Sequence, residues 1–489
     1  MNYRILSLLS FLICSNLVAQ YSTPNTGVHW TLDDIANQSP GTITVAGNEY
    51  TLHEDLLIEV NDSLSLNEIL TLKIAPGVEI EVKGYFSSDA DEITITAVDQ
   101  ADPYKGFWMY DTSEIYFNNT LVEFGGGIRV ITPNFMMENS EVSNNNNPSG
   151  SATGGAITFS NGSPVIRNST FKNNHHPALS SGANTSVAIQ IENSYFEGNN
   201  TNNNNRPQIN MGPSGDADST RIINNTIIGN RDFNMVGGIS VSSLTGVTNK
   251  FLVKGNTLRD NRYGFTSLGN VSTGIIQDNI FEDNDTETNP MNGGSGISLY
   301  NTGMVYIIGN EIRRSLWGIT LIGSALANLG SDDAEDINPG GNIFSENGNG
   351  GEIYALFNNT PNEVKALHNC WIEGQQSTAE DVEGVISHVV DDPTLGEVFF
   401  DPFICGIEMN TNELNKSDFK IYPNPAQNSF TIQSNENGSV KIFDLNGKLV
   451  QSEMKTEDSK LIPINLPKGV YLVEFNSGKA KSTQKLIVR

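Results

Sequence analysis

A chain of 489 residues is too long for one compact core, so it either divides into domains or extends as an elongated repeat. Its 46 glycines, a charged content of only 17% and runs such as Asn144 to Asn147 and Asn202 to Asn205 indicate turns and short strands. The formal net charge of -28, from 28 Lys+Arg against 56 Asp+Glu, repels phosphate backbones and anionic lipid surfaces and argues against a nucleic-acid partner.

In chain order, residues 1–19 carry a basic start at Arg4, an apolar run from Ile5 to Ile13, and Leu17, Val18 and Ala19 ahead of Gln20. That pattern predicts a secretory signal cleaved between Ala19 and Gln20. No later stretch is apolar for long enough to span a bilayer. Residues 20–45 form a cap region before a long body over 46–405. Export leaves Cys370 and Cys405 as an even pair in an oxidising compartment, which predicts a disulfide, the alternative being two buried thiols.

The body repeats itself. Ile191 to Asn199 and Ile276 to Asn284 share one template: apolar, any, Asn/Gly/Asp, Asn/Ser, any, apolar, any, any, Asn. Its third position recurs at Asn139, Asn168, Asn193, Asn224, Gly255, Asp278 and Gly309, at spacings by subtraction of 29, 25, 31, 31, 23 and 31. Each copy alternates in apolar character, and Gly, Asn and Pro fill the intervals without a helical stripe. Short strands separated by turns, one coil per period, then stack into a solenoid with neighbouring coils about 4.8 Å apart. Asn recurring at the template's third position suits a left-handed turn residue, with side-chain amides stacked as a ladder.

Equal offsets from the third position fall in columns. Four residues on stand Lys172, Glu197, Ile228, Arg259, Glu282 and Arg313, a surface ladder of alternating charge. Seven residues on, His175, Asn200, Arg231, Arg262 and Asp285 bring two arginines together, which is unfavourable unless an anion lies between them or each pairs with a carboxylate such as Asp232 or Asp260. Arg231, Arg262 and His175 are the candidate catalytic residues, for a uronic-acid carboxylate would fit between such arginines. Five residues on, Asp260 and Asp283 stack on adjacent coils with Asp285 nearby. Calcium would suit these carboxylates, although Arg314 on the next coil could neutralise Asp283 alone. No cofactor is otherwise required.

Leu72 to Val82, with Gly77, then Ile93 to Val98 and Gly106 to Trp108, resemble the first coils of bacterial right-handed parallel β-helix proteins of the pectin-lyase-like superfamily. Asn369-Cys370-Trp371 followed by Asp392 to Pro402 resembles the closing coil, which the cysteine pair would staple. The resemblance implies an all-β fold and, if the protein is an enzyme, a polysaccharide lyase or glycoside hydrolase. Neither a Gly-His-Gly after paired aspartates nor a lyase-type arginine-proline motif is present, and Asp332-Asp333 reads as a solvated acidic loop.

Residues 406–417 turn polar and read as a linker. Beyond it, over 418–489, Phe419 to Pro425, a hairpin around Asn446-Gly447, the alternating strand Gly469 to Phe475 and the terminal Lys485 to Arg489 closely resemble the type A sorting domain of the type IX secretion system of Bacteroidetes. That domain carries 10 basic and 7 acidic residues, leaving 18 and 49 before it, so the body stands at 18 - 49 = -31 and the tail at 10 - 7 = +3. The expectation is a protein exported by that machinery to the cell surface or extracellular space, binding or processing extracellular polysaccharide. The competing reading is a non-catalytic, adhesin-like rod, and the two differ in whether basic, imidazole and carboxylate groups converge in a groove.

Overall fold

In the computed structural model, residues 20–146, 154–404, 419–444, 448–477 and 481–489 are described. The signal segment with Ala19, the linker and the Asn446-Gly447 turn lie outside them. Two compact units divide between Cys405 and Gly406.

The first unit is a right-handed parallel β-helix. Sheet A has fourteen parallel strands, from Gln20–Ser22 through Gly106–Met109, Ile209–Met211 and Trp317–Ile322 to Ile386–Ser387. Sheet B runs through Asn134–Glu138, Gln190–Glu192, Asn249–Lys254 and Met304–Ile308, and sheet C through Glu141–Ser143, Tyr195–Glu197, Thr257–Arg259 and Ile343–Ser345. Strands of three residues suffice because each is paired on both sides and its central side chain enters a continuous core. Down sheet C that interior column is Val142, Phe171, Phe196, Ile227, Leu258, Phe281, Ile312 and Phe344, all at most 1% exposed. Full burial of each such side chain contributes about 1.5–3 kcal/mol. Phe171 and Phe196 stack with centroids 4.9 Å apart, as Phe344 and Trp371 do at 5.0 Å. Two short helices join this core near the ends of the solenoid, Leu32–Gln38 through Leu32 and Ile35 and Ala379–Glu383 through Val382, each begun by a Thr-Asp capping box.

The corner between sheets B and C divides among neighbouring residues the roles expected of one recurring Asn. The third template residue makes the turn: Asn139, Asn168, Asn193, Asn224 and Asp278 have φ of 48°, 48°, 52°, 56° and 54°, and Gly255 and Gly309 take the same place at 67° and 61°. The ladder belongs to the fourth residue, whose side chain points inward. There each Asn Nδ2 donates to the next Oδ1, from Asn225 to Asn256 (3.0 Å), Asn279 (2.9 Å), Asn310 (2.9 Å), Asn342 (3.0 Å) and Asn369 (2.9 Å). A second ladder runs at the ninth residue through Asn145, Asn174 and Asn199. Gln208 bridges the coil in which Asn230 turns away, bonding both Asn199 and Asn261.

The second unit has antiparallel sheets of three and four strands over a separate core containing Phe419, Phe430, Ile442, Val473 and Phe475. Its buried Lys455 donates from Nζ to the carbonyls of Ser434 (2.7 Å) and Glu436 (2.6 Å).

Candidate functional site

Sheet A carries the most distinctive outer face. Pairing register puts Glu81, Trp108, Arg129, Thr158, Ser180, Asn210, Ser240, Thr266, Ser298, Thr320 and Phe357 in one column along the solenoid. Seven successive positions, Thr158 to Thr320, are uncharged hydroxyl or amide side chains within a body of net charge near -31; Ser180, Ser240 and Thr320 are buried, with hydroxyls paired to Thr158, Ser242 and Ser295, and Thr158, Asn210, Thr266 and Ser298 are the members that reach solvent. At the N-terminal end the Arg129 guanidinium lies 4.3 Å from the centre of the Trp108 ring, and Tyr110 donates to Glu81 at 2.6 Å. That bond, with burial and the charge of Glu81, pushes the Tyr110 phenol up to about 12, so it stays a donor.

An open cleft of about 360 Å³ sits on this face, lined by Gly154, Thr158, Ser180, Ser181, Arg206 and Asn210 among others. Gly154 keeps it open, because a Cβ there would come within 3.2 Å of Ser180 Oγ. Among the described residues Arg206 has no carboxylate within ion-pair distance. In the neighbouring corner, burial, with the charges of His175 and Arg206, lowers the His176 imidazole below its ordinary value and keeps it neutral at pH 7.

The candidates from sequence lie elsewhere. Arg231 donates to Asp260 (3.0 Å) and Asp285 (2.8 Å), and Arg262 to the carbonyl of Asn292 (3.0 Å) and to Asn205. Asp283 accepts two bonds from Arg314, at 2.8 and 3.0 Å. All three aspartates therefore have guanidinium partners, and no anion is needed between Arg231 and Arg262. His175 sits in the corner beside His176, ring centroids 5.1 Å apart. The sheet C charge ladder has the register its offsets imply, Lys172 on Glu197 and Arg259 on Glu282. Cys370 is buried and Cys405 lies outside the described residues; Ile404, just before it, donates from its backbone to Asn369 at 3.0 Å.

Two further groupings draw together residues distant in the chain. His368 Nε2 lies 2.8 Å from Asp332, and Lys365 lies 3.3 Å from both Asp333 and Asp336, so the acidic loop is solvent-exposed, as expected, and tethered to sheet B through these pairs. Trp317, Tyr354 and Phe357 gather at the C-terminal end of the sheet A face, with Trp317 centroids 4.6 and 4.9 Å from the other two.

The geometry of both units can be compared with known proteins. Residues 420–489 match the family described as the secretion system C-terminal sorting domain. The chain ends in a sorting domain. With it the protein is exported by the type IX secretion system to the cell surface or extracellular space, and no helix of the described residues is long and apolar enough to cross a membrane. Two solved structures are similar to the chain. The periplasmic alginate epimerase AlgG has 13% identity over 77% of this chain and 81% of its own, with a TM-score of 0.38. A double mutant of AlgG has 12% identity over 77% and 84%, with a TM-score of 0.45. Among curated proteins none matches the chain.

Proposed function

We propose that this exported β-helix binds an extended extracellular polysaccharide along the outer face of sheet A, without cleaving it. The observation that carries the reading is the uncharged column from Thr158 to Thr320, bounded at one end by Arg129 stacked on Trp108 and at the other by Phe357. Its solvent-reaching members, Thr158, Asn210, Thr266 and Ser298, stand one or two coils apart, about 5–10 Å, a spacing that suits an extended polymer presenting hydroxyls along its length. An uncharged face suits a neutral glycan, which the acidic body does not repel. Cleavage needs an acid or base beside the bound chain, and the described lining of the Arg206 cleft holds no carboxylate, imidazole, amine or phenol, His176 lying in the neighbouring corner and outside that lining.

Arg206 itself favours a second reading, in which the chain carries an acidic substituent, a carboxylate or sulfate, at that one point. The adhesin-like rod differs from both in binding no glycan. Incubating the protein with neutral and acidic polysaccharides, and following both retention and new reducing or unsaturated ends, separates these readings. Retention of neutral glycans without new ends is expected. New ends would establish an enzyme, retention confined to acidic glycans the second reading, and no retention the rod.

A further inference from the structure

The outer face of sheet A changes character along its length. From Thr158 to Thr320 it is built of uncharged hydroxyl and amide side chains, of which Thr158, Asn210, Thr266 and Ser298 reach solvent, but at the next coil it becomes aromatic. Phe357 follows Thr320 in the column, and Trp317 stacks on it with ring planes 24° apart. Tyr354 packs on Trp317 at 4.6 Å, and Tyr300, one column over on the same face, is 44% exposed. The Trp317 ring is held in place, because its Nε1 donates to the Pro290 carbonyl at 2.9 Å. None of the three stacked rings is fully buried. A fixed aromatic cluster left partly in water on an otherwise polar face is suited to an amphipathic ligand. The electron-rich ring faces attract the C–H groups on the apolar side of a pyranose while its hydroxyls stay solvated.

We propose that the Trp317–Tyr354–Phe357 cluster is a stacking subsite for the same glycan chain that hydrogen-bonds in the Arg206 cleft. This rests on the binding function proposed above and adds a length requirement to it. From Asn210 in the cleft the column passes through Ser240, Thr266, Ser298 and Thr320 to Phe357, five coil steps or about 24 Å. A short oligosaccharide reaches one subsite only. A chain long enough to span both engages the second intramolecularly, at the high effective concentration that linkage confers. The ligand is a neutral, extended oligosaccharide, since the column residues between the two subsites, Ser240, Thr266, Ser298 and Thr320, carry no charge.

The test is calorimetric titration of the full chain with neutral β-1,4-linked gluco-, manno- and xylo-oligosaccharides from disaccharide to decasaccharide. In the series that binds, affinity should rise gradually among short members and then by about tenfold or more once the chain spans both subsites. Trp317→Ala should abolish that step. Phe357→Ala gives an independent reading if Trp317→Ala unfolds the coil, and near-UV circular dichroism checks both variants. Binding that strengthens without a step, or a step that persists in both folded variants, would overturn the stacking subsite while leaving glycan binding intact. Failure of every oligosaccharide to bind, together with failure of the parent polysaccharides, would overturn the binding function as well.

Discussion

Replacing Asn256 by Ala tests the claim that buried amide ladders hold the coils together. Asn256 is 1% exposed; its Nδ2 donates to Asn279 Oδ1 (2.9 Å) and the Ile222 carbonyl (2.8 Å), and its Oδ1 accepts from the backbone and side chain of Asn225 (2.9 and 3.0 Å). Truncation strands the Asn225 backbone N–H, one of the two Asn225 side-chain N–H groups (the other still donates to the Ile191 carbonyl) and the Ile222 carbonyl out of reach of water. At roughly 1–3 kcal/mol for each unsatisfied buried group, and allowing for partial relaxation, the loss should be about 3–6 kcal/mol. Urea unfolding followed by far-UV circular dichroism measures it. Because a solenoid's coils can unfold separately, hydrogen exchange of the Asn225 amide gives a local reading of the same loss. Asn193 is the control, an exposed turn residue at φ 52°. Asn193→Gly should change stability by less than about 0.5 kcal/mol, whereas Asn193→Val, forced into the left-handed region, should cost about 1–2 kcal/mol. A loss below about 1 kcal/mol for Asn256→Ala, with the Asn225 amide still protected, would refute the reasoning.

Three further outcomes follow from particular contacts. Burial raises the Asp62 carboxyl, but bonds donated by the backbones of Val28, Asn25 and Thr26 and by the Thr23 hydroxyl outweigh it and hold the group below the usual carboxylate range. The N-terminal segment should therefore stay docked above about pH 4 and loosen as pH falls through the lowered folded value, read as protease susceptibility that becomes independent of pH in Asp62→Ala. Calcium is the cation that Asp260, Asp283 and Asp285 would take, but each already has a guanidinium partner in Arg231 or Arg314; melting with excess calcium should match melting with chelator, and a rise lost in Asp283→Asn would establish a metal site instead. With Ile404 bonded to Asn369, the neighbouring Cys370 and Cys405 should form a disulfide, seen as an intact mass two hydrogens lower before reduction; an unchanged mass on reduction would contradict it.

Much of the fold was legible because a solenoid writes its period into the chain. The offsets that align Lys172 with Glu197 and Asp260 with Asp283 in sequence are the offsets that stack them in space. What the period does not encode was lost. The third and fourth template residues share a preference for Asn, yet one turns outward at positive φ and its neighbour points into the core, a distinction set by strand direction rather than residue type. Arg206 and Gln208 belong to an insertion between coils and have no template position, so the cleft and the bridged ladder left no trace in the repeat. The aromatic cluster joins Trp317 to Tyr354 and Phe357 across the acidic loop and a hairpin, a separation that only the sheet A register closes. For the two arginines the sequence left two alternatives open, because column alignment fixes their height along the solenoid but not the direction of a long side chain; Arg231 takes the carboxylate alternative at Asp260, and Arg262 bonds Asn292 and Asn205.

The central claim is that the outer face of sheet A is the glycan-binding surface, and affinity electrophoresis through gels containing a retained neutral polysaccharide tests it most directly. Thr266→Glu and Ser298→Glu put a charge without a ring at the middle of the column, and Ile228→Glu puts the same group beside Arg259 on the outer face of sheet C. The account predicts that both sheet A variants lose retention while Ile228→Glu migrates like the parent protein. Unchanged retention in the two sheet A variants, or loss confined to the sheet C variant, would contradict it.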